Sequence, residues 1–172
     1  MVQSEFSWLY DNQTGWGKRA VLKKKRAVMW IGLVVVLGLS VNRTYAFNPD
    51  QLKQLLTTNQ CPGCDLSNAS LSGANLFKAN LTGANLTGAY LSDANLAGAN
   101  LTKANLTGAS LNDAYLAHAD LTGANLTGAK LFSAILVAAN LTGAVFTDAK
   151  LSMALWADGK WCADGSVGGC EK

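Results

Sequence analysis

An all-β coil with a short helix at its N-terminal end is what this chain of 172 residues leads one to expect. Leucine occupies every fifth position from Leu66 to Leu151, with Phe146 the single exception, and alanine occupies every fifth position from Ala69 to Ala154. Turn-forming residues recur two places after the leucines, among them Gly73, Gly83, Gly88, Gly98, Gly108, Gly123, Gly128 and Gly143, with Asn68, Asp93, Asp113 and Asp148 at other units. A period of five suits neither regular element. On a helix it steps about 140° per unit and scatters the leucines around the axis, and on a flat strand it alternates them between faces. Backbone that runs extended and bends once per unit points each Leu, and the Ala two residues before it, to one interior.

Composition narrows the class before any motif is read. The chain is 49% hydrophobic and 15% charged, with four Cys and a single His, so it is not a disordered chain and is too poor in cysteine for a disulfide-framework miniprotein. No phosphate loop or nucleotide fingerprint is present, no cofactor or metal is expected, and the chain is not expected to be an enzyme. The net charge of +3 is misleading, because residues 1–46 carry seven basic side chains against Glu5 and Asp11, whereas seven Lys face nine acids from Phe47 onward. With the basic balance confined to the leader, a nucleic-acid partner loses its electrostatic basis.

Residues 1–46 read as an export signal or an N-terminal membrane anchor. Lys23-Lys24-Lys25-Arg26 precedes the apolar run Ala27 to Val41, and Thr44-Tyr45-Ala46 offers a cleavage site. Residues 27–41 fall short of the ~20 residues that cross a bilayer squarely, so cleavage after Ala46 is expected first and an uncleaved anchor second. Only such an anchor would bring the chain to a membrane. Polar and aromatic residues 1–20 make the region before the apolar run long for a signal peptide, and a start near Val21 would give an ordinary one. Residues 47–60 form the expected helix: Asn48 caps it, Pro49 suits its first turn, and Leu52, Leu55 and Leu56 share one face.

Residues 61–156 carry the repeat. The unit Ala-Asn-Leu-Thr-Gly and its variants resemble the pentapeptide-repeat family, whose chains wind a right-handed quadrilateral β-helix of four units per coil. The helix followed by Cys61-Pro62-Gly63-Cys64 running into the repeats resembles exported or thylakoid-lumenal cyanobacterial members. The resemblance implies 4.5 coils for the eighteen units from Leu66 to Leu151, a rod about 22 Å long at strand spacing. Some members present acidic faces that resemble duplex DNA to DNA gyrase; here five Asp and four Lys between residues 64 and 156 make no acidic column.

A coil of twenty residues sorts the outward positions into four faces. The faces around Leu81 and Leu86 are uniform columns of Asn, Asp and Thr, read as solvated scaffold. Around Leu76, Leu96, Leu116, Leu136 and Trp156 polarity falls toward the C-terminus, where Phe77, Ala97, Ala117 and Val137 line one column and Asn75, Asn95, Tyr115, Ile135 and Leu155 another. Phe77, Tyr115, Ile135, Val137 and Leu155 are the expected contact residues for an unidentified protein partner or a second copy, unless the tail folds back over them. The fourth face, with Tyr90, Lys130 and Phe132, reads as ordinary surface. His118 lacks a second ligand beside it and reads as a surface residue.

The four cysteines sit at opposite ends of the rod, Cys61 and Cys64 before it and Cys162 and Cys170 in the C-terminal segment 157–172. That separation exceeds the ~7 Å limit for bridging between the pairs and excludes a shared zinc site. In an exported chain the bland reading is two local disulfides that pin the ends. The alternative is a redox-active Cys61/Cys64 pair, although it follows the helix and would feel its negative end. The expectation is therefore a non-enzymatic structural or interaction scaffold in the periplasm or thylakoid lumen; the alternatives are a thiol-disulfide protein and a partner-binding rod anchored in the membrane by residues 27–41.

Overall fold

A computed structural model describes residues 47–171. The expectations for residues 1–46 lie outside these described residues. Helix α1, Pro49–Thr58, begins as expected: Asn48 Oδ1 accepts from the N–H of Asp50 and Gln51, and Pro49 supplies a first-turn residue with no N–H to satisfy. It ends where Asn59 turns left-handed and donates its N–H to Leu55 O at 2.8 Å. Leu52, Leu55 and Leu56 are buried against the coil. The Asp65 N–H donates to Gln51 Oε1 at 2.7 Å, and Asp65 O accepts from Asn48 N, so α1 occupies part of the first coil's open edge.

From Gln60 to Leu155 the chain pairs with itself through sixteen parallel bridges, every one between residues twenty apart. Bends separate the bridges by five residues, so each coil has four sides. We number them by their outward columns: side 1 runs Gln60, Asn80, Asn100, Asp120, Asn140; side 2 Asp65, Asn85, Asn105, Asn125, Val145; side 3 Ser70, Tyr90, Ser110, Lys130, Lys150; side 4 Asn75, Asn95, Tyr115, Ile135, Leu155. At each bend the residue two places after the Leu is left-handed, whether it is Gly or not; Lys78, His118, Ala138 and Met153 have φ between 55° and 58°. The Ala after it donates to the Leu carbonyl, as Ala109 does to Leu106 at 3.0 Å, closing a turn of type II character.

The interior is a stack of Leu and Ala from Leu66 to Ala154, nearly all of them fully buried. The repeat extends one unit further at its N-terminal end than the leucine count shows. Cys61 and Cys64 stand in the places of Leu and Ala, with Gly63 left-handed between them. At the other end Trp156 begins a different turn, in which Gly159 donates to Trp156 O and is itself the left-handed residue. A count of leucines misses the first unit because a disulfide replaces the leucine.

After Gly159 the chain reverses. Trp161 pairs antiparallel with Leu155 and Val167 with Lys150, so residues 160–168 lie as one further strand on the end of sides 4 and 3. Disulfides join Cys61 to Cys64 and Cys162 to Cys170, with Cα atoms 5.3 Å and 4.9 Å apart. Among the described residues no helix is long and apolar enough to cross a membrane.

Candidate functional site

Sides 1 and 2 are closed systems. Asn80, Asn105, Asn125 and Asn140 each accept from the N–H and the hydroxyl of the Thr two places on, and Asn140 Nδ2 donates to Thr122 Oγ1 one coil below at 2.9 Å. Asp120 makes the same contact with Thr122, whose hydroxyl and N–H hold its carboxyl below the usual aspartate range. The Thr hydroxyls of these contacts are thereby committed as donors within the ladders.

Side 4 differs. The expected residues do come onto one side, but not into one unbroken strip. Tyr115, Ile135 and Leu155 are consecutive rungs of one ladder, and Val137 lies at the adjoining bend, where His118 donates its N–H to Val137 O. Phe77 stands apart, separated from Tyr115 by the coil that carries Asn95 and Ala97; its carbonyl accepts from Asn59 Nδ2, and the Lys78 ammonium lies 5.3 Å from its ring centroid. Ala117 is buried rather than presented.

The C-terminal segment does not cover this strip. It pairs with the end of the coil and so adds Trp161, 61% exposed, as the next rung beyond Leu155. Bridged neighbours project to the same face, so the column reads Tyr115, Ile135, Leu155, Trp161. Around the corner toward side 3 stand Phe132 and Met153, 46% and 50% exposed. Their contribution corrects the reading of that face as ordinary surface. Both occupy bend positions of this corner that hold Ser72, Ser92 and Asn112, or Gly73, Asp93 and Asp113, in the coils below. The apolar patch thus bends around a corner and ends in an exposed Trp.

His118 is exposed at its bend, and among the described residues no three His, Cys, Asp or Glu side chains gather as a metal site would. Cys61 and Cys64 are buried beneath α1, with the Cys61 sulfur 3.2 Å from Gln51 O. That burial gives no access of the kind a catalytic thiolate needs.

The repeat is also matched directly: the family model for pentapeptide repeats (8 copies) fits residues 61–93, 89–128 and 124–154. The chain belongs to the pentapeptide-repeat family. Its coil is accordingly the right-handed β-helix of pentapeptide-repeat proteins. Similar solved structures include a pentapeptide-repeat protein from the Arabidopsis thaliana thylakoid lumen, 29% identical, covering 67% of this chain and 87% of that one at TM-score 0.46. Another is the pentapeptide-repeat protein Rfr23 of the cyanobacterium Cyanothece 51142, 28% identical over 63% of this chain and 88% of that one, TM-score 0.39. A third, HetL from Nostoc sp. PCC 7120, a pentapeptide-repeat protein involved in heterocyst differentiation regulation, is 36% identical over 59% of this chain and 55% of its own, TM-score 0.29. No curated protein matches the chain.

Proposed function

We propose that this pentapeptide-repeat protein is a non-enzymatic interaction rod of an exported compartment, which presents the apolar side-4 patch to a protein partner. The observation that carries the reading is the continuous column Tyr115, Ile135, Leu155 and Trp161 on a rod whose sides 1 and 2 are polar Asn and Thr ladders. Such a rod has few soft modes, so binding costs little conformational entropy. In this reading α1 and the tail are its end caps, and the two disulfides fasten them. The same disulfides, together with the basic block and apolar run of residues 23–41, support an oxidising, extracytoplasmic compartment.

Two measurements test the proposal. The first is the intact mass of the protein purified from its host without reductant and again after reduction. A chain starting at Phe47 that gains four hydrogens is the expected result; a full-length chain with free thiols would refute export. The second places a photo-crosslinking residue at Tyr115 in the host, with and without Ile135→Lys and Val137→Lys. One discrete adduct that the double variant removes, with unchanged thermal unfolding, is expected; adducts of equal yield in both would reject the patch as the contact surface.

A further inference from the structure

The C-terminal end of the rod is only half closed. Within the rod a column residue offers its own N–H and C=O to the coil below: Asn100 N donates to Ala79 O and Asn100 O accepts from Leu81 N, the two groups that flank Asn80. The last coil needs the same service from whatever follows it. The tail provides it on side 3, where Leu151 N donates to Ser166 O and Gly168 N to Ala149 O, and on side 4, where Trp156 N donates to Lys160 O and Cys162 N to Ala154 O. On sides 1 and 2 the equivalent groups are Leu141 N with Ala139 O and Phe146 N with Ala144 O, and none of these has a hydrogen-bond partner among the described residues. The core is less covered there too: Leu141 and Ala144 are half-buried, whereas Leu121 and Ala124 one coil below are fully buried, although Phe146 of side 2 is buried with its ring centroid 5.1 Å from that of Trp156. The end surface is therefore a step, with two sides raised by one strand and two sides lower by one strand.

The raised half carries the groups that the lower half lacks. Trp161 lies between the bonded Lys160 O and Cys162 N, and Val167 between the bonded Ser166 O and Gly168 N. In an antiparallel ladder this leaves the N–H and C=O of Trp161 and Val167 directed to the outer edge. Each of these residues thus offers one donor and one acceptor, the set that Asn100 presents to Ala79 and Leu81. Trp161 matches the groups flanking Asn140, and Val167 matches those flanking Val145.

Direction and position also agree. The last coil runs from side 1 to side 4, and the tail runs back from Leu155 to Lys150. A second copy turned over about a two-fold axis across the rod end reverses the sense of its coils, so its tail runs with the first copy's sides 1 and 2. The axis that exchanges side 1 with side 4 and side 2 with side 3 sets Trp161 of one copy over Asn140 of the other, and Val167 over Val145. We propose that two copies of this chain join end to end in this way, each tail completing the other's open coil. The contact is isologous and closes on itself, so it makes a dimer and no filament.

The sequence carries a matching mark. Side 2 reads Asp65, Asn85, Asn105 and Asn125, then Val145, apolar only in the row that would meet the second copy's Val167. Both valines are exposed in a single chain, at 45% and 54%. A straight peptide strand is a poorer occupant, because the left-handed bend at Gly143 splits the open edge between two sides. The tail bends correspondingly, at left-handed Gly165 between Trp161 and Val167.

Sedimentation velocity of the full chain, purified without reductant over a dilution series, tests the proposal. The wild type is expected to dimerise. Val145→Lys with Val167→Lys sets like charges opposite one another at both ends of the contact and should weaken the dimer by about tenfold or more. Val145→Glu with Val167→Lys makes those pairs opposite in charge and should restore it. Both positions are exposed in the single chain, so all three proteins should melt alike once diluted to monomers. A wild type that stays monomeric throughout the series overturns the proposal, as does a dimer that the lysine pair leaves intact or the charge-reversed pair fails to recover.

Discussion

Leu121 and Leu141 occupy the same place one coil apart, in the nearly identical settings Asp-Leu-Thr-Gly-Ala and Asn-Leu-Thr-Gly-Ala, yet only Leu121 is sealed from solvent. Nothing in their own units separates them. The difference lies in what is stacked above: Leu121 has a coil there, and on its side Leu141 has none of the tail. In a solenoid, burial is a property of the neighbour as much as of the residue. The middle of this rod is therefore where stability resides, and the ends are where the same residue types remain available for contact.

The largest effect follows directly from that contrast. Leu106→Asp would bury a carboxylate without a partner in mid-rod and should prevent folding, read as loss of the cooperative urea transition. In the diluted monomer Leu106→Ala should cost about 2–5 kcal/mol, and Leu141→Ala clearly less, because part of the Leu141 side chain is there already in water. Equal losses for the two alanine variants would show that the tail or another segment seals the end after all.

The middle of the rod was legible in the sequence because one cause acts on every unit: the inward Leu and Ala, and the bend two residues after the Leu, repeat without insertion. The helix was legible for a local reason, since Asn48, Pro49 and the three leucines suffice to start it and orient it. Side 4 could be assigned from the twenty-residue period alone. The ends could not. That Cys61 and Cys64 stand in for Leu and Ala, and that Trp161 extends the apolar column while sides 1 and 2 stay open, depends on where a non-repetitive tail reverses. No periodicity encodes that reversal. Met153 was missed, and Phe132 was assigned to the fourth face alone, for a related reason: a bend residue belongs to two sides, and sorting by side hides it.

A middle-sized effect concerns the bends. His118 holds φ at 58° in the middle coils, and Met153 holds the same value in the last one. Replacing an L-residue by Gly there removes left-handed strain of about 1 kcal/mol. His118→Gly should raise the global midpoint by that amount, whereas Met153→Gly should act mainly on amide exchange in the last coil, which opens before the middle does. Conversely, Gly108→Ala, whose added Cβ would meet open space, should lose about the same 1 kcal/mol from backbone strain alone. Gly88→Ala should lose somewhat more, because its Cβ would come within 2.4 Å of Asn68 Oδ1 and displace that side chain.

The smallest effect separates two equivalent positions by charge alone. Asp120 and Asn140 hold the same Thr contacts on side 1, but only Asp120 titrates. Its carboxylate accepts from the Thr122 hydroxyl and N–H, and those bonds draw its folded-state pKa below the ordinary 3.8. A lowered carboxyl pKa adds stability that is fully present above the unfolded value and fades as the pH falls through the folded one. The wild type should therefore lose a little stability below about pH 4 from this group. Asp120→Asn keeps an acceptor for Thr122, so it should match the wild type at neutral pH within roughly 0.5 kcal/mol and lack that acid-side loss. Urea midpoints of the two proteins measured from pH 3 to pH 7 should part toward acid, the wild type falling relative to Asp120→Asn; parallel curves would mean that the Thr122 bonds hold the charged and neutral carboxyl equally, and that side 1 is indifferent to the one charge in its ladder.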